Sequence, residues 1–477
     1  MRSTTALVLA ATLAVAAPAR SQEPSPAVQR LREYVALVND GDPAAVAAYV
    51  DTAFNDELRG MPMDLHVGFL MDLRLRSGGL DPRGIQREED GLAVGLLRQR
   101  LTGDWDALAV RVEPDPPHRI AGLGGREPEV PADSLPPAPA TDAERATRLR
   151  EHVDRLAAVD AFSGAVLLAR DGEILFAGAW GEANKDFGAP NRVETKFNLG
   201  SMNKMFTAVA IAQLVERGLV RFDDPLSKFL PDFPDPDAAK RIRIEHLLTH
   251  TSGLGSYFNE RFFDASRARF RTVDDLMTLA GGDSLRFEPG TGWSYSNTGF
   301  LVLGKVIEVA SGQDYFEYVR ENICGPAGMT GTDAYELDRV NPDLAVGYQR
   351  EWSADGTVLW RNNLFEHVIR GGPAGGGYST VGDLWRFAEA LMSGRLVGAE
   401  SVRALTTAKP ELSSPEYGYG FVIGDGGGIV GHGGGFPGIS SNLDIFMESG
   451  YVAVVLSNYG RASGPVVWKI RRLVGAG

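Results

Sequence analysis

Residues 201–218 read SMNKMFTAVAIAQLVERG, and this stretch decides the fold. From Met205 to Leu214 nearly every side chain is apolar, so the helix it forms has no polar face to turn to water and must lie in the centre of a domain; Gly218 stops it. Ser201 then stands at the helix N-terminus, where unpaired N–H groups and the positive end of the helix dipole favour a developing anion. Lys204 lies one turn on, over the same face, and burial can lower a lysine's pKa until its amine takes a proton from a hydroxyl. On these residues alone, a serine N-cap beside a surface lysine explains the S-x-x-K spacing equally well.

Two further clusters lie downstream. Tyr295-Ser296-Asn297 sits inside FEPGTGWSYSNTGFLVLGKVIEVASG, where Pro289, Gly290 and Gly292 make a loop and the apolar run after Asn297 makes a helix. At that junction a phenol can move a proton once a cation lowers its pKa, and an amide can orient a carbonyl. The competing reading is that Ser296 or Asn297 caps the helix while Tyr295 packs. Gly431-His432-Gly433-Gly434-Gly435-Phe436 is either a flexible turn or a strand edge whose glycines let backbone N–H groups approach a ligand closely.

Strand signals flank this helical middle. GAVLLARDGEILFAGAWG, residues 164–181, is two apolar runs joined by Asp171-Gly172, a hairpin dipeptide. At the other end YGYGFVI, GGGIVGH, SNLDIFME and YVAVVLSN read as strands between Tyr417 and Asn458. A chain that is β at both ends and helical between is α+β, with its terminal strands meeting in one sheet.

The three clusters in this order, together with HLLTHTSGL (His246 to Leu254) and GGGYSTVGDLWRF (Gly375 to Phe387), resemble the serine β-lactamase and penicillin-binding protein family, in particular its class C β-lactamase, esterase and D-aminopeptidase branch. The resemblance runs from about residue 145 to 470. It implies a β-lactamase/transpeptidase-like catalytic domain, an antiparallel sheet flanked by helices with a mostly helical subdomain. It also implies Ser201 as nucleophile, Lys204 and Tyr295 sharing the general-base work, and Asn297, His432 and Gly434 around the substrate. The implied oxyanion hole is the N–H pair of Ser201 and Gly435. The implied reaction is acyl transfer through an acyl-serine, without metal or organic cofactor. Many β-lactamases and carboxypeptidases of the family carry lysine where this chain has His432, which is near-neutral at pH 7. That departure favours an esterase or amidase acting on a small-molecule or peptide substrate. A D-aminopeptidase or D-alanyl-D-alanine carboxypeptidase-type peptidase, and a non-catalytic cell-wall-binding scaffold, are the alternatives.

Ahead of this region, QRLREYVALVND and the Asp42-Pro43 start of a second helix precede alternating apolar residues such as Leu108, Val110 and Val112. Helices followed by a strand meander over residues 27–125 make a small α+β domain, and NDGDPAAVAAYV resembles a nuclear-transport-factor-like cone. REPEVPADSLPPAPAT, residues 126–141, reads as a proline-stiffened linker into the catalytic domain at 142–477. Residues 1–21 match a signal peptide: Arg2, a short apolar run, then small residues at Ala17, Ala19 and Ser21. Secretion or a periplasmic location is therefore expected, and no later apolar stretch is long enough to span a bilayer.

Composition narrows the partners. Lys plus Arg number 48 against 62 Asp plus Glu, for a net charge of -14, which disfavours nucleic acid and anionic membrane surfaces. The single cysteine, Cys324, rules out an intrachain disulfide and a Cys-rich metal site. Gly282-Asp283-Ser284-Leu285 spells a lipase tetrapeptide without its strand context, and the His432 HGGG run lacks any G-x-S-x-G partner. His246 and His250 have zinc-like spacing but no H-E-x-x-H glutamate, so a capped helix end is the reading there. Tyr257, Phe258, Trp293 and Phe436 lie beside the motif loops, as acyl-pocket walls or as core. The partner of the N-terminal domain is left open.

Overall fold

The computed structural model describes residues 23–281, 284–353 and 355–475. The leader expected at residues 1–21 lies outside them, as do Gly282 and Asp283 of the lipase-like tetrapeptide.

The first elements begin where local chemistry starts helices. Ser25 and Asp42 accept hydrogen bonds from Val28 N and Ala44 N, and a proline follows each, so α1 (Pro26–Asp40) and α2 (Pro43–Ala53) start there. Then come α3 (Asp56–Arg59) and α4 (Met63–Ser77), followed by an antiparallel meander of β1 (Leu80–Glu89), β2 (Leu92–Gln99), β3 (Trp105–Val112) and β4 (Ile120–Arg126). Leu31, Val35 and Val38 pack with Leu70, Leu97, Val110 and Ile120 in a core separate from those that follow. Three of these elements are missing from the sequence reading: the four-residue α3, α4 and β1. Polar and apolar residues are so mixed along α4 that no helical stripe stands out, and β1, LDPRGIQREE, carries Pro82 and Gly84 at register shifts of a largely exposed edge strand.

Beyond the proline-rich segment, Thr141 caps α5 (Asp142–Ala158). The hairpin of β5 (Gly164–Arg170) and β6 (Glu173–Trp180) turns at Asp171 and Gly172, with φ of 49° and 82°, the two positive values that a two-residue hairpin loop demands. The helices that matter for the site are α6 (Asn203–Glu216), α7 (Ile244–Leu248), α8 (Asn297–Ser311) and α9 (Val381–Met392). The chain then returns to strands β7 (Val422–Gly424), β8 (Ile429–Phe436), β9 (Ile439–Phe446) and β10 (Tyr451–Ser457), and ends in α10 (Ser463–Gly475).

The larger sheet runs β7-β8-β9-β10-β5-β6, antiparallel throughout, so the first and last strands of this region meet: Val454 lies opposite Leu167 and Leu456 opposite Ala165. One face is covered by α5 and α10 through Leu149, Val153, Val466 and Ile470. The other is covered by α9 and the buried α6 through Leu384, Phe387, Phe206 and Val209. Every residue from Met202 to Leu214 is buried, as a helix without a polar face requires. Of the YGYGFVI segment only Val422 and Ile423 lie in a strand, because Gly420, at φ 78°, is pressed against α6: a Cβ there would lie 2.4 Å from Ala208 Cβ. No helix among the described residues is long and apolar enough to cross a membrane.

The smaller and larger sheets are joined by ionic contacts. Asp104, in the β2–β3 turn, accepts a hydrogen bond from Lys469 Nζ of α10 at 2.7 Å and lies 3.1 Å from Nδ1 of the buried His152 of α5. Burial alone would raise the Asp104 pKa, but His152 and Lys469 outweigh it and hold the carboxyl well below the usual range. Asp104→Ala should therefore cost about 1–3 kcal/mol at pH 7, read as a lower urea midpoint, because it strands a buried imidazole and a largely buried ammonium. A depressed folded pKa contributes stability above the unfolded value of about 3.9 and loses it as pH falls through the lower folded value. The stability gap between variant and wild type should accordingly close in acid.

Candidate active site

The nucleophile candidate sits in a turn squeezed by backbone from both sides. Gly200–Met202 is a single tight turn leading into α6, and Ser201 in it is partly exposed while the residues after it are buried. Gly200 adopts φ 52°, and a Cβ there would lie 2.9 Å from Gly435 N. A Cβ at Gly434 would lie 1.9 Å from the Leu199 carbonyl oxygen, which Ser441 Oγ meets at 2.7 Å. On the other flank Gly376 N donates to Gly200 O at 3.1 Å. Because β7 pairs with β8 only across Ile429–Gly431, the edge of β8 from His432 to Phe436 is left to face this turn. The segment is a strand edge, not the flexible turn, and it brings the Gly435 amide beside the Ser201 turn.

Lys204 is completely buried. Its Nζ donates to Asn297 Oδ1 at 2.9 Å and to the Ala374 carbonyl at 2.7 Å, and sits 4.7 Å from the Tyr295 ring centre. No carboxylate among the described residues forms an ion pair with it, so desolvation acts unopposed and drives its pKa well below the ordinary lysine value. A neutral amine has two N–H donors and one lone pair; here both donors have acceptors and the lone pair is left over.

Asn297 is free to make this contact because Ser296 is the N-cap of α8. The Ser296 hydroxyl accepts from Gly299 N at 2.8 Å and donates to Gly255 O at 2.8 Å. The Asn297 amide donates in turn to Ser256 Oγ at 3.1 Å. Tyr295 lies beside the Ser201 side chain, with its ring centre 4.7 Å from Lys204 Nζ. Burial pushes the phenol up to about 12, the Ser201 side chain pulling the other way, so Tyr295 holds its proton at neutral pH.

His432 is buried, and desolvation is the main cause that pushes its pKa down to about 3. Its Nδ1 meets the Gly433 carbonyl, which only accepts, so the proton is on Nδ1; Nε2 therefore accepts from the Tyr417 hydroxyl at 2.8 Å. Both nitrogens are committed within the protein. Gly434, next but one along the strand, serves the site through its close approach to Leu199.

His250 lies outside α7, which ends at Leu248, and adopts φ 64°. The helix-end reading therefore applies to His246 alone, whose Nδ1 accepts from Arg243 N at 3.2 Å. His250 Nδ1 accepts from Ser296 N at 3.0 Å and its ring lies 4.2 Å from that of Tyr295, so it supports the Tyr-Ser-Asn loop. Ser256, Ala374 and Tyr417 have no assigned role in the sequence reading, in which His250 is placed at a helix end. Of the flanking aromatics, Tyr257 is core, Trp293 is 48% exposed, and Phe258 and Phe436 face each other at 5.5 Å. No group of three potential metal ligands occurs among the described residues. Cys324 is buried, its thiol pushed up to about 12 by desolvation.

With this geometry established, comparison with known proteins is informative. The sequence profile of the family described as Beta-lactamase matches residues 149–476. Penicillin-binding protein 4* of Bacillus subtilis is 33% identical over 314 residues, covering 62% of this chain and 68% of that protein. Esterase EstB of Burkholderia gladioli is 37% identical over a shorter stretch of 179 residues, 35% of this chain and 45% of its own. Among solved structures, a penicillin-binding protein from Bacillus halodurans superimposes with a TM-score of 0.60 at 34% identity, covering 65% of this chain and 96% of that one.

The glycine contacts make a paired prediction. Gly434→Ala has to displace the Leu199 carbonyl and should cost at least about 1–3 kcal/mol. At Gly435 the nearest atom to an added Cβ is Ile439 O at 4.0 Å, so alanine there should stay within about 0.5 kcal/mol of wild type. Equal shifts in Tm for the two variants would contradict the close-approach argument.

Proposed function

Because the chain belongs to the beta-lactamase family, we propose that this serine β-lactamase-fold hydrolase cleaves carboxylic esters or small amides through an acyl-Ser201 intermediate. The observation that carries the reading is Lys204: fully buried, without a counter-ion, and with both amine protons occupied.

In the proposed first step the Ser201 hydroxyl gives its proton to Tyr295 as the Tyr295 proton passes to the Lys204 lone pair, and Oγ bonds to the acyl carbon. The proton count suits this relay. Amine and phenol together hold one transferable proton, and the neutral pair is the cheaper resting state in a buried site. The N–H groups of Ser201 and Gly435 would stabilise the tetrahedral oxyanion. The leaving group departs with the proton returned through the same relay, and water, deprotonated by the same groups, releases the acid. Asn297 would orient the substrate while fixing Lys204.

His432 argues for an uncharged leaving side. It is neutral, and neither nitrogen is free to bind a substrate carboxylate. The esterase among the relatives supports the ester reading over the stretch it covers. The alternative, a D-aminopeptidase or D-alanyl-D-alanine carboxypeptidase, draws support from the relatives named penicillin-binding proteins. Release of D-alanine from a muropeptide would distinguish it. Export to the periplasm or medium is part of the proposal and rests on residues 1–21.

Hydrolysis of p-nitrophenyl butyrate by the purified protein should be abolished in Ser201→Ala with the fold intact, and Lys204→Met should lower kcat by about 10²–10⁴-fold. Turnover retained by Ser201→Ala would refute the assignment. A well-folded wild type inactive on both this ester and a muropeptide would favour a non-catalytic role. The lowered Lys204 pKa sets the sign of the pH profile: the neutral amine is the working form, so kcat/KM should be sustained at pH 7 and fall as acid protonates Lys204.

A further inference from the structure

We infer that the N-terminal α+β unit contains a second ligand site, built for a small amphipathic carboxylate such as a medium-chain fatty acid, with Arg461 as its anion-binding group. A cavity of about 270 Å³ opens among the helices of this unit, close to the roughly 300 Å³ of the smaller ligand pockets. Its walls are apolar: Leu37, Val46, Val50, Leu70 and Leu123 all line it. At its rim Met61, Leu65 and Phe69 are 44%, 49% and 42% exposed, three large apolar side chains on one short stretch of surface. None of the lining residues belongs to the Ser201 site.

The polar groups select the ligand's charge. No aspartate or glutamate lines the cavity, and one cation, Arg461, does. Arg461 forms no ion pair with any described residue, and φ 64° holds it in the left-handed region that a non-glycine residue enters at a cost. Tyr34 lines the same space; only 3% exposed, it makes no side-chain hydrogen bond among the described residues. A phenol at the cavity wall without a protein partner is open to an acceptor from a ligand. The Tyr49 phenol is already satisfied, donating to Glu33, whose carboxylate Arg30 neutralises at 2.8 Å.

Arg76 stands near Arg461: burial is the main cause that lowers its pKa, Asp106 and Asp72 oppose it, and the like charge of Arg461 lowers it further. An anion bound at Arg461 would relieve that repulsion and accept from Tyr34, while its chain filled the apolar walls. Arg461 lies in the segment joining β10 to α10, so the ligand would be held by both the small unit and the catalytic one.

Calorimetric titration of the full chain with octanoate and with 1-octanol tests the site. Octanoate should bind about 10- to 100-fold more tightly than octanol, the ratio expected for a charge-assisted hydrogen bond. Arg461→Gln should remove that preference. Leu65→Glu, at an exposed rim position, should weaken octanoate more than octanol by placing a like charge at the mouth. Absence of octanoate binding at millimolar concentration, equal affinity for acid and alcohol, or octanoate affinity unchanged in both variants would overturn the proposal. Neither substitution touches the Ser201 site, so the outcome is independent of the hydrolase reading.

Discussion

The burial of Lys204 without a counter-charge is the constraint on which the rest of the catalytic unit depends. An ammonium at that depth would cost several kcal/mol to desolvate, and no carboxylate among the described residues offsets it. Burial shifts the amine toward its neutral form, and the fold gives it two uncharged acceptors, Asn297 and the Ala374 carbonyl. Those acceptors come from separate parts of the chain, the start of α8 and the glycine-rich loop before α9. One side chain therefore ties three segments together and fixes the Tyr-Ser-Asn loop against the Ser201 turn.

Glycine supplies the complementary constraint. The Ser201 turn requires backbone segments to approach more closely than any side chain allows, and Gly200, Gly434 and Gly375 remove the three Cβ atoms that would intervene. The free edge of β8 follows from the shortness of β7, whose extension is blocked where Gly420 packs on α6. The shifts around the site all run one way: burial lowers the pKa of Lys204, His432 and His250 and raises that of Tyr295, favouring the neutral form of each.

Much of the fold is legible along the chain because its signals are local. The Asp42 cap, the Asp171-Gly172 hairpin and the apolar α6 each depend on a few neighbouring residues. The elements that escape the sequence reading lack such signals. Helix α4 shows no clear stripe, and β1 is an edge strand whose proline and glycine are tolerated because one side needs no partner. The C-terminal YGYG segment alternates as a strand would, yet contact with α6 keeps most of it out of the sheet.

The residues Ser201, Lys204, Tyr295, Asn297, His432, Gly434 and Gly435 can be picked out from sequence because acyl transfer restricts which side chains can serve and because the helix they surround has no polar face. Their protonation states cannot. Whether Lys204 is charged, whether Tyr295 is a phenolate and whether His432 has a free nitrogen depend on burial and on partners such as Ser256, Ala374 and Tyr417, which are remote in sequence and chemically ordinary until the fold brings them within 3.1 Å of their partners. Sequence determines which groups are present, whereas desolvation, which sets their charge, is a property of everything packed around them and exists only in the tertiary structure.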